Sequence, residues 1–286
     1  MSVATLTFAD RLAAEVERKR SQLVVGLDPI PDLMPVELRG DLARFCCGIV
    51  DAVAPYTVAV KPQLAFFEAH GAAGMAAFEE VCSYSRNAGL LVIADGKRGD
   101  IGSTARAYAD AYLEGDPPRA DALTVNPWLG RESVEPYLAA ARRNGSGVFV
   151  IVKTSNAGGD IQDVELSNGL PVWQHVALEV AAWGADLVGE VGLSQVGAVV
   201  GATHPRAIAD ARRLMPQSIL LLPGVGAQGG LPSDLTRAFQ SGPASALANA
   251  SRSVIYAYRS TGDDFRTAAG AEAARLQREL WAASGW

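Results

Sequence analysis

Apolar runs of five to eight residues recur along the chain, and alanine-rich amphipathic stretches separate them. The runs are "QLVVGLD" (22–28), "YTVAVK" (56–61), "LLVIAD" (90–95), "ALTVN" (122–126), "VFVIVKT" (148–154), "VGAVVGAT" (196–203), "SILLLPG" (218–224) and "SALANAS" (245–251). Most are continuously apolar rather than alternating, as parallel strands covered on both faces require. Between them, stretches such as "GDLARFCCGIVDAVA", "GMAAFEEVCSYSRNAG" and "ESVEPYLAAARRNG" space their apolar residues near the helical period, and glycines close the second and third. The pattern predicts eight strands and about eight helices in strict alternation. That is an α/β fold, a (β/α)8 TIM barrel, with residues 1–286 as a single barrel domain carrying an N-terminal and a C-terminal helix. The eighth strand rests on the weakest signal, because "SALANAS" has little β propensity. The glycine-rich, acidic segment 156–172 follows the fifth strand and is expected to be a mobile loop over the barrel mouth.

Length agrees with this layout, since barrels of this kind commonly use about 250 residues and the chain has 286. A hydrophobic share of 49% argues against disorder, and a net charge of −6 gives no basic surplus for nucleic acid. Cys46, Cys47 and Cys82 have neither zinc nor disulfide spacing and read as buried apolar side chains in a reducing compartment. No run approaches the ~18 apolar residues that span a bilayer. The N-terminal stretch is amphipathic and acidic, without the apolar core of a signal peptide. A soluble, cytoplasmic protein is expected. His70, His175 and His204 lack metal-ligand spacing and read as structural, and Trp128 in "NPWLG" reads as packing.

Active sites of TIM barrels sit at the C-terminal ends of the strands. Those ends carry Asp28, Lys61, Asp95 with Lys97, Asn126, Thr154 with Ser155, the "LPGVGAQGG" loop, and Arg252. Any strand end that meets solvent carries polar residues. Two lysines and three acids, Asp100 included, converging on one rim are harder to explain as solvation, because like charges in a cleft are costly unless paired or used. The glycine-rich loop after the seventh strand and "SRS" (251–253) after the eighth stand where barrel enzymes bind phosphate. Glycines let backbone N–H groups approach an anion, the following helix N-terminus favours negative charge, and Arg252 offers a planar fork. Lys153 is a further site candidate, although strand alternation sets it opposite Thr154. Arg98 is either an exposed charge or an interface partner.

These residues together resemble the orotidine 5′-phosphate decarboxylase family. Its Asp-x-Lys-x-x-Asp motif matches "DGKRGD" as Asp95, Lys97 and Asp100, its second-strand lysine matches Lys61, and its first-strand aspartate matches Asp28. The "PGVGAQGG" loop with a following arginine matches its phosphate gripper, and "VKPQLAFFE" and "VKTSN" are similar to the longer bacterial branch. One departure is Ser251, where many members have glycine before the arginine. The resemblance implies conversion of orotidine 5′-monophosphate to UMP and CO2 as the last step of pyrimidine nucleotide synthesis, without metal or organic cofactor. It implies that Lys97 donates a proton within an alternating chain of Lys61, Asp95, Lys97 and Asp100. Gln228 would contact phosphate, Ser155 the pyrimidine ring, and Asp28 and Thr104 the ribose. It also implies a homodimer in which Asp100 and Thr104 reach the neighbouring subunit's site.

The chemistry sets its own demand. Losing CO2 leaves charge on a vinylic carbon with no electron sink, so fixed charges must stabilise it and a proton must be delivered. Carboxylates flanking Lys97 favour its ammonium form. That suits a proton donor and not a Schiff-base nucleophile. Three rivals remain: a Mg²⁺-dependent phosphosugar decarboxylase or aldolase sharing the Asp-x-Lys-x-x-Asp motif, a Schiff-base aldolase on Lys61 or Lys153, and a non-catalytic binder of phosphorylated ligands.

Overall fold

Each strand lies parallel to its sequence neighbours, and the eighth returns to the first to close the ring. This is the arrangement in a computed structural model that describes residues 6–226 and 229–286, with Ala157 by its backbone alone. The strands are β1 (Leu23–Leu27), β2 (Ala59–Pro62), β3 (Leu91–Arg98), β4 (Ala122–Val125), β5 (Gly147–Lys153), β6 (Ser194–Val200), β7 (Ser218–Pro223) and β8 (Ala246–Ala250). The weak eighth run is therefore a strand. Leu23 pairs with Ala248 and Val24 with Asn249, so neighbours on both sides impose the extended backbone that its own residues favour little.

The helices are α1 (Phe8–Lys19), α2 (Leu42–Val53), α3 (Leu64–Glu68), α4 (Gly71–Asn87), α5 (Gly102–Leu113), α6 (Arg131–Asn144), α7 (Val172–Trp183), α8 (Pro205–Leu214), α9 (Arg252–Ile255), α10 (Tyr258–Thr261) and α11 (Phe265–Ser284). Strict helix alternation fails once. Between β7 and β8 the short "PSDLTRAFQS" segment, led by a proline and stopped by Gly242, winds as a 3-10 helix. The C-terminal helix α11 packs between this segment and α2, and so completes the ring. The 156–172 segment has structure of its own. A 3-10 turn covers Ala157–Asp163, and Glu165 bridges to Pro171.

Two separate apolar cores follow from the period-two alternation of the strands. Val25, Val60, Val92, Val150 and Leu220 face outward against α-helical partners such as Phe45 and Leu138. Val24, Ile93, Phe149, Val199, Leu221 and Leu247 fill the lumen, with Phe8, Leu12 and Val16 of α1 packed among them. Helix α1 is thus a plug. Phe8 meets Phe149 edge-on at 5.8 Å and 87°. Gly147 makes room for it, since a Cβ there would lie 2.6 Å from the Phe8 ring. Arg11 ties the plug to Asp121, just before β4, so the lumen is stoppered at the N-terminal end and opens at the strands' C-terminal ends.

The cysteines behave as expected: all three are free, with Cys46 and Cys82 buried and Cys47 half-buried. Burial pushes the Cys82 thiol up to about 12 and Cys47 to about 11. Arg212 on α8 is buried and pairs with no carboxylate among the described residues. Its guanidinium donates to the carbonyls of Met215, Ser218, Ala238 and Ser245, and burial lowers its pKa to about 10.

Candidate active site

Strand β3 does not stop where its apolar run does. Ala94 stands opposite Leu123, but the next pair is Arg98 with Val125. Three residues, Asp95, Gly96 and Lys97, therefore face the single residue Thr124. This bulge of two extra residues pushes the charged segment into the barrel mouth. Lys97 sits at φ +46°, in the left-handed region where a non-glycine residue carries about 1–3 kcal/mol of strain. Thr124 holds it there. The Lys97 N–H donates to Thr124 Oγ1 at 2.9 Å, and that hydroxyl donates to Asp95 Oδ1 at 2.9 Å.

Asp95 is the hub of the site. Lys61 on β2 and Gln63 just beyond it donate to Oδ2, Gln63 at 3.1 Å. Lys97 Nζ donates to Oδ1 at 2.6 Å. Burial alone would raise the Asp95 pKa, but the charges of Lys61 and Lys97 outweigh it and hold the carboxyl well below the usual range. For Lys61, burial pulls down, yet Asp95 and then Asp28 prevail and keep the ammonium form favoured above its ordinary value. The two lysines differ in access. The Lys61 side chain is 6% exposed and that of Lys97 is 45% exposed, so Lys97 is the ammonium that faces the opening.

Two adjoining chambers share Lys61 and Pro223. The inner one, about 230 Å³, is lined by Lys61, Asp95, Lys97, Thr124, Thr154 and Ser155 among others. The outer one, about 290 Å³, is lined by Asp28, Gly224, Asn249, Ser251 and Arg252 among others. Burial raises the Asp28 pKa, and Lys61 and a hydrogen bond from Ser251 only partly offset it. The glycine loop folds back on itself: Gly226 N–H donates to the Gly230 carbonyl at 3.1 Å, with Gly226 at φ +79° and Gly229 at φ +89°. A Cβ on Gly226 would stand 2.7 Å from Ser253 Oγ, so the loop rests directly on the start of α9. That helix spans four residues, too short for a long helix dipole, and its first residue, Arg252, lines the outer chamber.

Lys61, Asp95, Lys97, Asp28, Ser155 and Arg252 therefore converge as the sequence predicts. Asp100 does not extend the charged chain. Its carboxylate accepts the Ile101 N–H at 2.8 Å and lines neither chamber. Thr104 is exposed on the first turn of α5. Gln228 lies outside the described residues. Lys153 is buried, points to Asp163 at 2.7 Å and lines neither chamber. Arg98 is an internal staple: it pairs with Glu68 and lies over the rings of Tyr108 (5.3 Å) and Tyr112 (5.8 Å). Asn126 points away from the mouth and accepts the Trp128 N–H at 3.0 Å, and this turn throws Trp128 outward, 69% exposed rather than packed. Trp128 borders a groove of about 440 Å³ outside the mouth, larger than either chamber but without the paired charges. Three contributors were missed by sequence reasoning: Thr124, Gln63 and Asn249. A polar residue inside an apolar run was the signal for Thr124 and Asn249, and a period-two step from Lys61 was the signal for Gln63.

Residues 21–262 match the model of the Orotidine 5'-phosphate decarboxylase / HUMPS family. The chain belongs to this family. It is 46% identical over 272 residues to the orotidine 5'-phosphate decarboxylase of Rhodopirellula baltica, covering 89% of this chain and 90% of that one. It is 48% identical over 255 residues to the Deinococcus radiodurans protein of the same name, covering 88% and 90%. A Streptomyces avermitilis crystal structure superposes with a TM-score of 0.86 at 38% identity, covering 100% of this chain and 98% of that one. The family match spans all eight strands, so both chambers lie within it.

Proposed function

We propose that the protein decarboxylates orotidine 5′-monophosphate to UMP and CO2, the last step of de novo pyrimidine nucleotide synthesis, in the cytoplasm and with no metal or organic cofactor. The observation that carries this reading is the Lys97 ammonium, fixed by Asp95 and by its own strained backbone, facing a chamber of about 230 Å³ that adjoins a second chamber lined by Gly224 and Arg252. The pyrimidine occupies the inner chamber against Ser155. The ribose lies along Asp28, and the phosphate meets the glycine loop and Arg252.

In the reaction the bond from C6 to the carboxylate carbon breaks and its electron pair stays on C6. CO2 leaves, and an N–H of Lys97 gives C6 its proton. Solvent then reprotonates the amine. The fixed positive charge stabilises the carbanion without reorganising, which is where such a site gains most. Asp95, held ionised, lies beside the departing carboxylate, and loss of CO2 relieves that repulsion. Phosphate binding far from C6 supplies energy for closing the site. Both Asp95 oxygens are engaged by four side-chain donors, which leaves that carboxylate poorly suited to a metal.

A homodimer fits the same reading. Asp100 and Thr104 stand outside their own subunit's chambers, on a rim where Ile101, Trp128 and Leu129 expose apolar surface on the adjacent loops after β3 and β4. A second copy would cover that surface and receive both polar side chains.

An absorbance assay with orotidine 5′-monophosphate tests the proposal. Wild type should turn over, unaffected by excess EDTA, and Lys97→Ala should lose at least about 10³-fold in kcat while still binding UMP. Near-normal turnover by the variant would refute Lys97 as the acid. Borohydride trapping of a substrate adduct would favour a Schiff-base aldolase instead.

A further inference from the structure

Ser155 lines the inner chamber, and the backbone around it is fastened from two sides. Gln162, in the 3-10 turn after β5, takes the backbone N–H and the hydroxyl of Thr154. Its Oε1 accepts the Thr154 N–H at 2.9 Å, and its Nε2 donates to Thr154 Oγ1 at 2.8 Å. The next residue, Asp163, accepts from Lys153 Nζ at 2.7 Å. On the opposite side, the Gly201 N–H donates to the Lys153 carbonyl at 2.8 Å. A Cβ on Gly201 would stand 2.9 Å from Ser155 Cβ, so Ser155 is seated directly against β6's end.

The turn that follows β5 thus doubles back and grips the two residues that precede Ser155. We infer that Gln162 and Asp163 are positioning residues: they form a latch that fixes Ser155 where it meets the base, and so set how strongly the site selects a nucleotide over a bare sugar phosphate. This rests on the reading of the inner chamber as the base site. The latch contributes little to global stability, because the Asp163 side chain is 58% exposed and an ion pair at such a position is screened. Its effect is local. If the latch opens, Ser155 is correctly placed only part of the time, and the affinity for the base falls by that fraction. A ligand that ends at the ribose touches the outer chamber and does not sense the change.

The test uses the full chain and compares UMP with ribose 5-phosphate, which lacks the base. Gln162→Met keeps the side-chain bulk and removes both hydrogen bonds. It should raise the UMP Kd and lower kcat/KM for orotidine 5′-monophosphate by about tenfold or more, while the ribose 5-phosphate Kd stays within about twofold. Gln162→Glu keeps the acceptor for the Thr154 N–H and should recover part of the loss. Asp163→Asn, at an exposed position, should shift the same ratio in the same direction, and it carries the test if Gln162→Met fails to fold. Equal weakening of both ligands, or no change in either, overturns the latch. A wild type that releases no CO2 from orotidine 5′-monophosphate overturns the reading of the chamber and the latch with it. Turnover by wild type together with an unchanged ligand ratio in the variants overturns the latch alone.

Discussion

Replacing Asp95 with Asn removes one charge and almost no volume, so it isolates the electrostatics of the site. Lys61 and Asp95 have side chains 6% and 7% exposed, so their pair is a buried one. Removing one partner of a buried pair costs about 3–5 kcal/mol, because the remaining charge loses its counterion. The Lys97 pair adds at most about 1 kcal/mol, since its lysine is 45% exposed and screened. Asp28 remains beside Lys61 and softens the loss, so about 3–5 kcal/mol is the expected total. At about 2 °C per kcal/mol for a chain of this size, the melting temperature should fall by about 6–10 °C. The pH profile supplies a signature that packing damage would not. In wild type the depressed Asp95 pKa contributes stability that is present above its ordinary 3.8 and is lost as pH falls below that value. In Asp95→Asn that acid-side slope should disappear. On the alkaline side, wild type loses stability as pH rises past the ordinary lysine value of 10.5, because Lys61 is raised when folded. With Asp95 gone, burial prevails and the sign reverses: stability should climb with pH up to that value. Calorimetry between pH 2 and 12 reads both limbs. A variant that melts within about 2 °C of wild type, with both slopes intact, would show that the hub carboxylate is not ionised in the folded protein.

Three further outcomes follow from the geometry. Lys97→Gly should be more stable than Lys97→Ala by about 1 kcal/mol in urea titrations, because only glycine adopts φ +46° freely, and equal stability would mean the backbone there is unstrained. Gly26→Ala would set a Cβ 1.9 Å from Ser251 Oγ, and the displaced serine should carry Arg252 with it. The variant should lose about 1–3 kcal/mol of stability and weaken ribose 5-phosphate binding by calorimetry, and full affinity would count against the placement of the phosphate. Asp28→Asn should raise the melting temperature at pH 7 while lowering turnover. The native Asp28 pKa is raised, so ionised Asp28 disfavours the fold above that pKa, and the gain should vanish as pH falls below 3.8. A gain that persists in acid would refute the cause.

The barrel was legible because continuous apolar runs need cover on both faces, and alternating helical stretches supply it. Asp28, Lys61, Asp95 and Lys97 were legible because each ends or follows such a run. Thr124 was not, because its importance exists only once β3 bulges opposite it, and register is a property of two strands rather than one. Trp128 misled for a related reason. A large apolar residue reads as core until the Asn126 side chain caps the turn that expels it. The segment between β7 and β8 was expected to be a helix like the others; it winds as a 3-10 helix instead and is stopped by Gly242 at φ +121°.

The excess on β3 is two residues, and the even number matters. Inside–outside parity survives it: Ala94 before the bulge and Arg98 after it both face the helices, where Arg98 meets Glu68 and Tyr112. Deleting or inserting a single residue between them would turn Arg98 into the lumen and swing Lys97 out of the chamber. Insertions in this stretch should therefore preserve the fold only in pairs, and the melting temperatures of one- and two-residue insertions would test that rule, whereas any two-residue deletion takes out Asp95 or Lys97.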